Sequence, residues 1–301
     1  MECEIISDCD DGEVCLAGSC VPGMDAGPDA RVDGDGGEDV GPDALDDAPD
    51  DVGPDAGDGC SLGAPIVLYE FEAGDDATQI LDRAPAAPDV PLTDLTGAVN
   101  VIAAASLVEN RGGRMAATQE ASDALMQAFL DSGSFTVEVW TRALDLVVEE
   151  PAPPERIVTL SLDSADRAFT IGLSGSSAIV RLQTDGTNLQ GTQCIDGTSS
   201  VFSVPDVFTA LDPPKHIVLV FSGTLGEPRV YVNGEQVPGD WPCGMNALGW
   251  PIGMYGFALG DEIDGNRGYD GLIHRVVMYD RAMGAPEVAC WYEAGPNEPV
   301  L

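Results

Sequence analysis

The sequence predicts an all-β fold in which two antiparallel sheets pack face to face as a sandwich. Short segments with alternating apolar and polar residues recur between residues 65 and 279. The 36 glycines and 22 prolines of the 301-residue chain supply frequent turns, and only short stretches have helical spacing. Many short strands, such turns and almost no helix are typical of a two-sheet antiparallel sandwich.

The charge balance limits the partners of the chain. Asp and Glu number 52 against 13 Lys and Arg, which gives a formal net charge of -39. Nucleic acid or an anionic membrane would need a basic surface, so we expect neither as a partner. Calcium, cationic partners and neutral glycans are compatible with this charge. No run of residues approaches the apolar length of a membrane-spanning helix.

The cysteines indicate an oxidising location. The chain has eight of them, and none forms the Cys-x-x-Cys pairs of zinc ribbons or thioredoxin-like sites. Disulfides are the better interpretation, so we expect an extracellular or cell-surface protein. Met1 and Glu2 have neither the basic nor the apolar region of a signal peptide. We therefore expect either a mature form or a start placed too far downstream.

Residues 1–22 are predicted to form a small disulfide-rich module. The spacing is Cys-x5-Cys-x5-Cys-x4-Cys, and so short a segment cannot bury a core without internal disulfides. The absence of His and the wide spacing favour disulfides over a metal site. The pattern resembles the four-cysteine modules near the start of many secreted proteins of myxobacteria and their relatives. The cysteines concerned are Cys3, Cys9, Cys15 and Cys20.

Residues 23–59 are predicted to be a disordered acidic linker. Three near-copies of one Asp/Gly/Pro hexapeptide begin at Asp25, Asp39 and Asp51. Without aromatic residues the segment cannot bury enough apolar surface to offset the entropy of ordering. Charge repulsion and proline stiffness should keep it extended.

Residues 60–301 have the composition of a globular domain. A helix is predicted over 119–131, a tight hairpin over 231–237 with Asn233 and Gly234 in a type I′ turn, and a short helical turn that begins at Pro286. The predicted strands are 65–72, 99–103, 114–117, 134–142, 156–162, 169–173, 178–183, 216–222, 228–232, 254–261 and 269–279.

Two strands have an alternation that assigns residues to faces. In the first, Phe135, Val137 and Val139 share one face, and Thr136, Glu138 and Trp140 share the other. In the last strand, the alternation places Leu272, Val276 and Met278 on one face. It places Ile273, Arg275 and Val277 on the other.

Three segments resemble the laminin-G-like family. Tyr269-Asp-Gly-Leu-Ile-His-Arg-Val-Val-Met-Tyr-Asp-Arg-Ala-Met283 is similar to its Phe-x-Gly-x-Ile-Asp-Glu-Val-x-Ile-Tyr-x-Arg-Ala-Leu signature, except that His274 and Arg275 replace acidic residues. Ser134 to Trp140 resembles its Ser-Phe-Thr-x-x-x-Trp strand, and His216 to Gly234 its Trp-His-x-Val and Leu-Tyr-Val-Asp-Gly pair. The resemblance implies a concanavalin A-like jelly roll over most of residues 60–293.

Four cysteines lie in this domain, and they allow three pairings. In the jelly roll that the resemblance implies, the two terminal segments lie side by side. Cys60 would then pair with Cys290, and Cys194 with Cys243, which would tie two long loops together.

The resemblance also implies one structural calcium ion, bound by acidic side chains and loop carbonyls. Glu72 and Asp82 match the acidic positions of the family's opening motif. His274 occupies a further acidic position, and imidazole is a poor calcium ligand. The alternative is that these carboxylates are solvated or cap turns.

Loop aromatics are the candidate ligand site. Sugar rings stack on exposed aromatic faces, and Trp241, Trp250, Tyr255 and Tyr269 are predicted to lie exposed at the sandwich edge, with Asn266 as a hydrogen-bonding partner. The alternative is that the two tryptophans cover the Cys194 and Cys243 region as a local core.

Catalysis is not predicted. Glycoside hydrolases of this fold have a Glu-x-Asp-x-x-Glu strand, whereas the segment here is Glu262-Ile-Asp-Gly-Asn-Arg267, with an arginine where the acid/base carboxylate must be. The two histidines, His216 and His274, lie inside strands and support neither a triad nor a zinc site.

We therefore expect a non-enzymatic extracellular binding or adhesion module that recognises a glycan or a surface protein. The alternatives are a structural component of a cell-envelope or filament assembly and, with less support, a glycoside hydrolase. The expected location is outside a bacterial cell or on its surface, with an outer-membrane tether as one option. The oligomeric state stays open.

Overall fold

The computed structural model describes residues 13–16, 19–22, 63–146, 154–209, 213–224, 228–239, 241, 243 and 247–297. The chain divides into two compact units, Met1–Ser61 and Leu62–Leu301. In the first unit, β1 (Glu13–Leu16) and β2 (Ser19–Pro22) pair antiparallel. The predicted disulfides of this unit and the linker predicted over 23–59 lie outside the described residues.

The second unit contains most of the strands and both helices. Their bounds are β3 Val67–Tyr69, β4 Leu92–Thr96, β5 Val99–Ile102, β6 Leu107–Arg111, β7 Arg114–Ala117, α1 Gln119–Ser132, β8 Ser134–Ala143, β9 Glu155–Ser161, β10 Arg167–Ser174, β11 Ser177–Leu182, β12 Phe202–Val204, β13 Lys215–Ser222, β14 Arg229–Val232, β15 Glu235–Gln236, β16 Gly256–Leu259, β17 Asp270–Tyr279 and α2 Ala285–Ala294.

These strands form two sheets. The seven-stranded sheet has the order β12-β11-β10-β9-β16-β7-β4. The eight-stranded sheet has the order β15-β14-β13-β8-β17-β6-β5, and β3 pairs with β17. Every pairing within these two sheets is antiparallel. The predicted all-β, two-sheet antiparallel jelly roll is confirmed.

The apolar core lies between the sheets. On β8, Phe135, Val137 and Val139 belong to it and the intervening residues do not, as the alternation predicts. Helix α1 adds Leu125, Met126 and Phe129. Its first turn is capped by the Thr118 side chain, which accepts a hydrogen bond from the Ala121 N–H at 3.2 Å.

Strand β17 departs from its predicted alternation. Ile273, Val276 and Met278 face the core, whereas Leu272 does not. The pairing with β8 shifts between Ile273 and Arg275, so that His274 is an extra residue in the strand. Such a β-bulge reverses the faces of the residues that precede it. The face predicted for Leu272 and Ile273 is therefore wrong.

The predicted hairpin is confirmed. Asn233 and Gly234 have φ angles of 52° and 79°, and Val232 pairs with Glu235 across the turn. A type I′ turn requires positive φ at both positions. A Cβ atom at Gly234 would also lie 2.9 Å from the ring of Tyr292 on α2, so this glycine permits close packing of the helix as well.

The predicted Cys194–Cys243 disulfide is present, with a Cα–Cα distance of 5.3 Å. Cys290 is also disulfide-bonded, but Cys60 lies outside the described residues, so the Cys60–Cys290 pairing stays a prediction. Among the helices of the described segments, none has the length and apolarity needed to cross a membrane.

Candidate functional site

The four aromatic residues predicted to form an exposed ligand site are buried. Trp241 is 7% exposed, Trp250 4%, Tyr255 1% and Tyr269 0%, and all four belong to the core. The prediction of exposed loop aromatics is therefore wrong. The alternative, that the two tryptophans form a local core, agrees with the structure. The physical reason is that the loops fold back onto the sandwich.

The contacts of these residues show how they are held. Phe202 stacks on Trp241 with a centroid distance of 5.5 Å. Trp250 donates its Nε1–H to the Gln183 carbonyl at 2.9 Å, and Tyr255 is hydrogen-bonded to Gln183 Oε1 at 3.0 Å. Rings with these contacts cannot stack on a sugar without local unfolding.

Tyr269 and Asn266 differ from each other in environment. The Tyr269 hydroxyl is 2.8 Å from Thr141 Oγ1, and burial raises the pKa of this phenol well above its usual value. Asn266 is exposed and donates to Asp264 Oδ2 at 2.7 Å. The structure therefore does not bring Asn266 together with an exposed aromatic platform made of the predicted residues.

The two residues predicted to bind calcium have other partners. Asp82 accepts hydrogen bonds from the backbone N–H groups of Leu68, Ala84 and Val90 at 2.9, 2.9 and 3.0 Å. Glu72 lies 3.9 Å from Arg83. Within the described segments, no group of three or more His, Cys, Asp or Glu side chains could hold a metal ion. These contacts favour the turn-capping alternative, and calcium binding stays a prediction.

A polar cluster lies on the outer face of the seven-stranded sheet, away from the core. Register places it there: Thr170 pairs with Thr159 on one side and with Arg181 on the other. Their strand neighbours belong to the core: Val158, Leu160, Phe169, Ile171, Val180 and Leu182. Because side chains alternate along a strand, Thr159, Thr170 and Arg181 form a row on the opposite face.

The centre of this cluster is Glu262, whose side chain is 0% exposed. Its Oε2 is 2.8 Å from Arg156 Nε, and Oε1 accepts hydrogen bonds from the hydroxyls of Thr159, at 3.3 Å, and Ser161. Asp261 holds the loop in place, because its Oδ1 accepts the backbone N–H groups of Glu262 and Arg267, each at 2.6 Å. The Glu262 carboxylate is thus buried and forms an ion pair with Arg156.

Three further arginines surround Glu262. We call Arg156, Arg167, Arg181 and Arg267 the arginine cluster. Arg167 is buried, and its guanidinium donates to the carbonyls of Gln190, at 3.1 Å, and Ser164. The half-buried side chains of Arg181 and Arg267 have no hydrogen-bond or ion-pair partner in the described part of the chain.

The arginines repel one another. Burial and then Arg156, Arg167 and Arg267 lower the pKa of Arg181, and Glu262 opposes them. Burial and then Arg156 likewise lower the pKa of Arg167. Arg181 is therefore close to three positive side chains and one negative one, that of Glu262. The sequence analysis did not predict the arginine cluster. Single arginines within otherwise apolar strand segments were the signal that could have indicated it.

A second polar cluster lies on the outer face of the eight-stranded sheet, where α2 covers it. Glu138 is buried, with Arg275 Nη2 at 2.8 Å, Trp140 Nε1 at 3.2 Å and His216 Nε2 at 3.4 Å from its Oε1. Burial alone would raise the pKa of Glu138, but Arg275 and His216 outweigh it and lower this pKa to about 2. The arrangement is that of a structural ion pair.

His274 makes stability depend on pH. Burial, and then Arg142, lower the pKa of His274 from 6.5 to about 4. The neutral form stabilises the fold above the unfolded pKa, and this contribution is lost as pH falls through the folded pKa. We expect His274→Gln to remove about 3 kcal/mol of pH-dependent stability between about pH 7.5 and pH 4, measured by urea unfolding at both values.

Glu155 also makes stability depend on pH, so His274→Gln must be compared with the wild type at each pH. Burial raises the pKa of Glu155 from 4.5 to about 7. Its protonated form stabilises the fold below the unfolded pKa, and this contribution is lost as pH rises through the folded pKa. In the wild type, the pH dependence of stability due to Glu155 therefore opposes that due to His274. Identical pH profiles for the wild type and His274→Gln would contradict the role given to His274.

The fold and its polar outer face define a jelly roll of the lectin and glucanase type. A family model, Laminin_G_3, described as the concanavalin A-like lectin/glucanases superfamily, matches residues 116–289, which is more than half of the chain. The protein belongs to the concanavalin A-like lectin/glucanases superfamily, and the laminin-G-like resemblance is confirmed. A comparison with curated protein sequences finds no match.

Solved structures of the same fold include botulinum neurotoxin domains. The binding domain of botulinum neurotoxin DC in complex with rat synaptotagmin II has a TM-score of 0.52 at 10% identity, with 77% of this chain and 51% of that chain covered. The same binding domain in complex with SialylT has a TM-score of 0.51 at 12% identity, with 77% of this chain and 51% of that chain covered. At such identities the likeness shows the fold alone.

A third such structure concerns botulinum neurotoxin type C, whose cell entry is described as dependent upon interaction with two ganglioside molecules. It has a TM-score of 0.50 at 12% identity, with 77% of this chain and 51% of that chain covered. The present chain therefore spans about half the length of these structures.

Proposed function

We propose that this protein is a non-enzymatic extracellular binding module that receives a glycan, or the glycan of a surface protein, on the outer face of its seven-stranded sheet. The observation that supports this most is the arginine cluster. Arg181 and Arg267 reach the surface beside a polar sheet face and have no partner among the described residues. Such convergent polar groups fix the orientation of a ligand.

The environment of Glu262 favours binding over hydrolysis. A retaining glycosidase places two carboxylates a few ångströms apart, where both reach the substrate. Glu262 is sealed from solvent and paired with Arg156. Arg267 occupies the position of the second carboxylate in the hydrolase pattern. A ligand on this face would therefore meet guanidinium groups rather than a catalytic pair.

The disulfides of the domain support an extracellular location. The Cys194–Cys243 disulfide ties two loops of the domain, and Cys290 is also disulfide-bonded. Structural disulfides persist in oxidising compartments and are rare in the cytosol. The neurotoxin structures of the same fold are named with synaptotagmin II, SialylT and gangliosides, so we consider both protein and glycan partners for this fold.

The test is a glycan array probed with the full chain, followed by incubation of the bound glycans with excess protein. We expect saturable binding and no new reducing ends. Arg142→Gln, a half-buried arginine on the opposite sheet, should bind like the wild type. Release of reducing ends would favour a hydrolase. Binding to no glycan, together with self-association, would favour the structural alternative and overturn the proposal.

A further inference from the structure

We infer that the ligand carries an isolated anionic group, a carboxylate or a sulfate, which Arg181 and Arg267 bind on the outer face of the seven-stranded sheet. This inference rests on the proposed function and specifies the chemistry of its ligand.

The local balance of charge favours a bound anion. The four arginines of the cluster face two buried carboxylates, those of Glu262 and Asp261. The nearby acidic residues hold loops: Asp163 Oδ1 accepts the backbone N–H groups of Ala165 and Asp166 at 2.6 and 2.9 Å. Asp261 Oδ1 holds the loop around Glu262 in the same way. Among the four arginines the imbalance is greatest at Arg181, where Arg156, Arg167 and Arg267 lower the pKa and Glu262 is the acidic residue that opposes them.

The geometry of Arg181 also favours an oxyanion. Its side chain is half-buried, and within the described segments no hydrogen bond or ion pair engages its guanidinium. The guanidinium presents parallel N–H donors that match the two oxygens of a carboxylate or sulfate. A bound oxyanion would accept hydrogen bonds from the outer guanidinium nitrogens and reduce the repulsion from Arg156, Arg167 and Arg267.

The charge of the whole chain favours a ligand with one isolated negative group. The chain has a formal net charge of -39, so its long-range field repels dense polyanions such as nucleic acid. The half-buried cluster acts at short range and is screened little by salt. A sugar with a single carboxylate or sulfate gains the local attraction while it experiences little of the long-range repulsion.

The experiment uses two matched pairs of glycans and titration calorimetry with the full chain. A galactotriose whose terminal residue is galacturonate is compared with galactotriose, and a singly sulfated lactose with lactose. We expect the acidic member of at least one pair to bind about tenfold or more tightly than its neutral partner. The pair that shows the larger ratio identifies carboxylate or sulfate as the group bound.

Variants assign the effect to the cluster. Arg181→Gln should reduce the acidic-to-neutral ratio to about one, Arg267→Gln should lower it, and Arg181→Lys should retain part of it. The control Arg142→Gln should keep the wild-type ratio. Since Arg181→Gln removes a charge that its neighbours repel, its melting temperature should equal or exceed that of the wild type.

The outcomes separate this inference from the proposed function. Equal binding of acidic and neutral members overturns the inference while the binding function stands, and so does an unchanged ratio in Arg181→Gln. If the protein binds neutral glycans on the array but no acidic glycan, the inference is overturned and the proposed function stands. Absence of binding to every glycan overturns the proposed function as well.

Discussion

Substitution of Glu138 by alanine is expected to lower the free energy of unfolding by about 3–5 kcal/mol. The side chain is buried beneath α2, with Arg275 Nη2 2.8 Å away. The substitution removes a carboxylate that faces a buried guanidinium, and the remaining charge has no access to bulk water. Such losses exceed those of surface ion pairs, which contribute about 1 kcal/mol or less. Urea unfolding near neutral pH measures the effect.

The control for Glu138→Ala is the double variant Glu138→Met with Arg275→Met. Replacing both partners of a buried ion pair by apolar residues is often close to neutral, so the double variant should be more stable than the single one. The wild type should also lose stability in acid. Because the pKa of Glu138 is depressed from 4.5 to about 2, its contribution is present above the unfolded pKa and is lost as pH falls through the folded pKa. A single variant as stable as the wild type would show that the ion pair is not structural.

Local patterns in the sequence predicted those parts of the fold that depend on neighbouring residues. The alternation of Phe135, Val137 and Val139 identified the inner face of β8, and Asn233-Gly234 identified the hairpin turn. Both signals arise from backbone geometry within a few residues. The faces of Leu272 and Ile273 could not be predicted in this way, because the bulge at His274 arises from how β17 pairs with β8.

The site depends on residues that are distant in the chain. Arg156, Arg167 and Arg181 come from three strands, and Arg267 from the loop between β16 and β17. Sheet pairing brings these arginines together. The composition of the chain, with its formal net charge of -39, indicated an acidic surface and gave no sign of a basic cluster. A loop tryptophan is equally ambiguous in sequence, because stacking on a ligand and packing on the core need the same side chain. Only the tertiary contacts of Trp241 and Trp250 distinguish the two.

Trp250→Ala is expected to lower the free energy of unfolding by about 3–5 kcal/mol, the usual cost of removing a large buried aromatic side chain. The ring lies among three phenylalanines, with centroid distances of 6.4 Å to Phe129, 5.6 Å to Phe135 and 6.3 Å to Phe169. Its Nε1–H also satisfies the Gln183 carbonyl. The variant therefore loses both the packing and a buried hydrogen bond, and urea unfolding measures the sum.

Trp250→Phe separates the two losses and distinguishes a core residue from a sugar platform. It keeps an aromatic ring in the cavity but leaves the Gln183 carbonyl without its donor, so we expect a smaller cost of about 1–3 kcal/mol. A core residue affects stability in both variants, and binding measured where the variants remain folded should be close to that of the wild type. A sugar platform would give the reverse, because loss of an exposed ring changes stability by about 0.5 kcal/mol or less but abolishes stacking. Wild-type stability with lost glycan binding in Trp250→Ala would therefore restore the aromatic site and weaken the case for the arginine cluster.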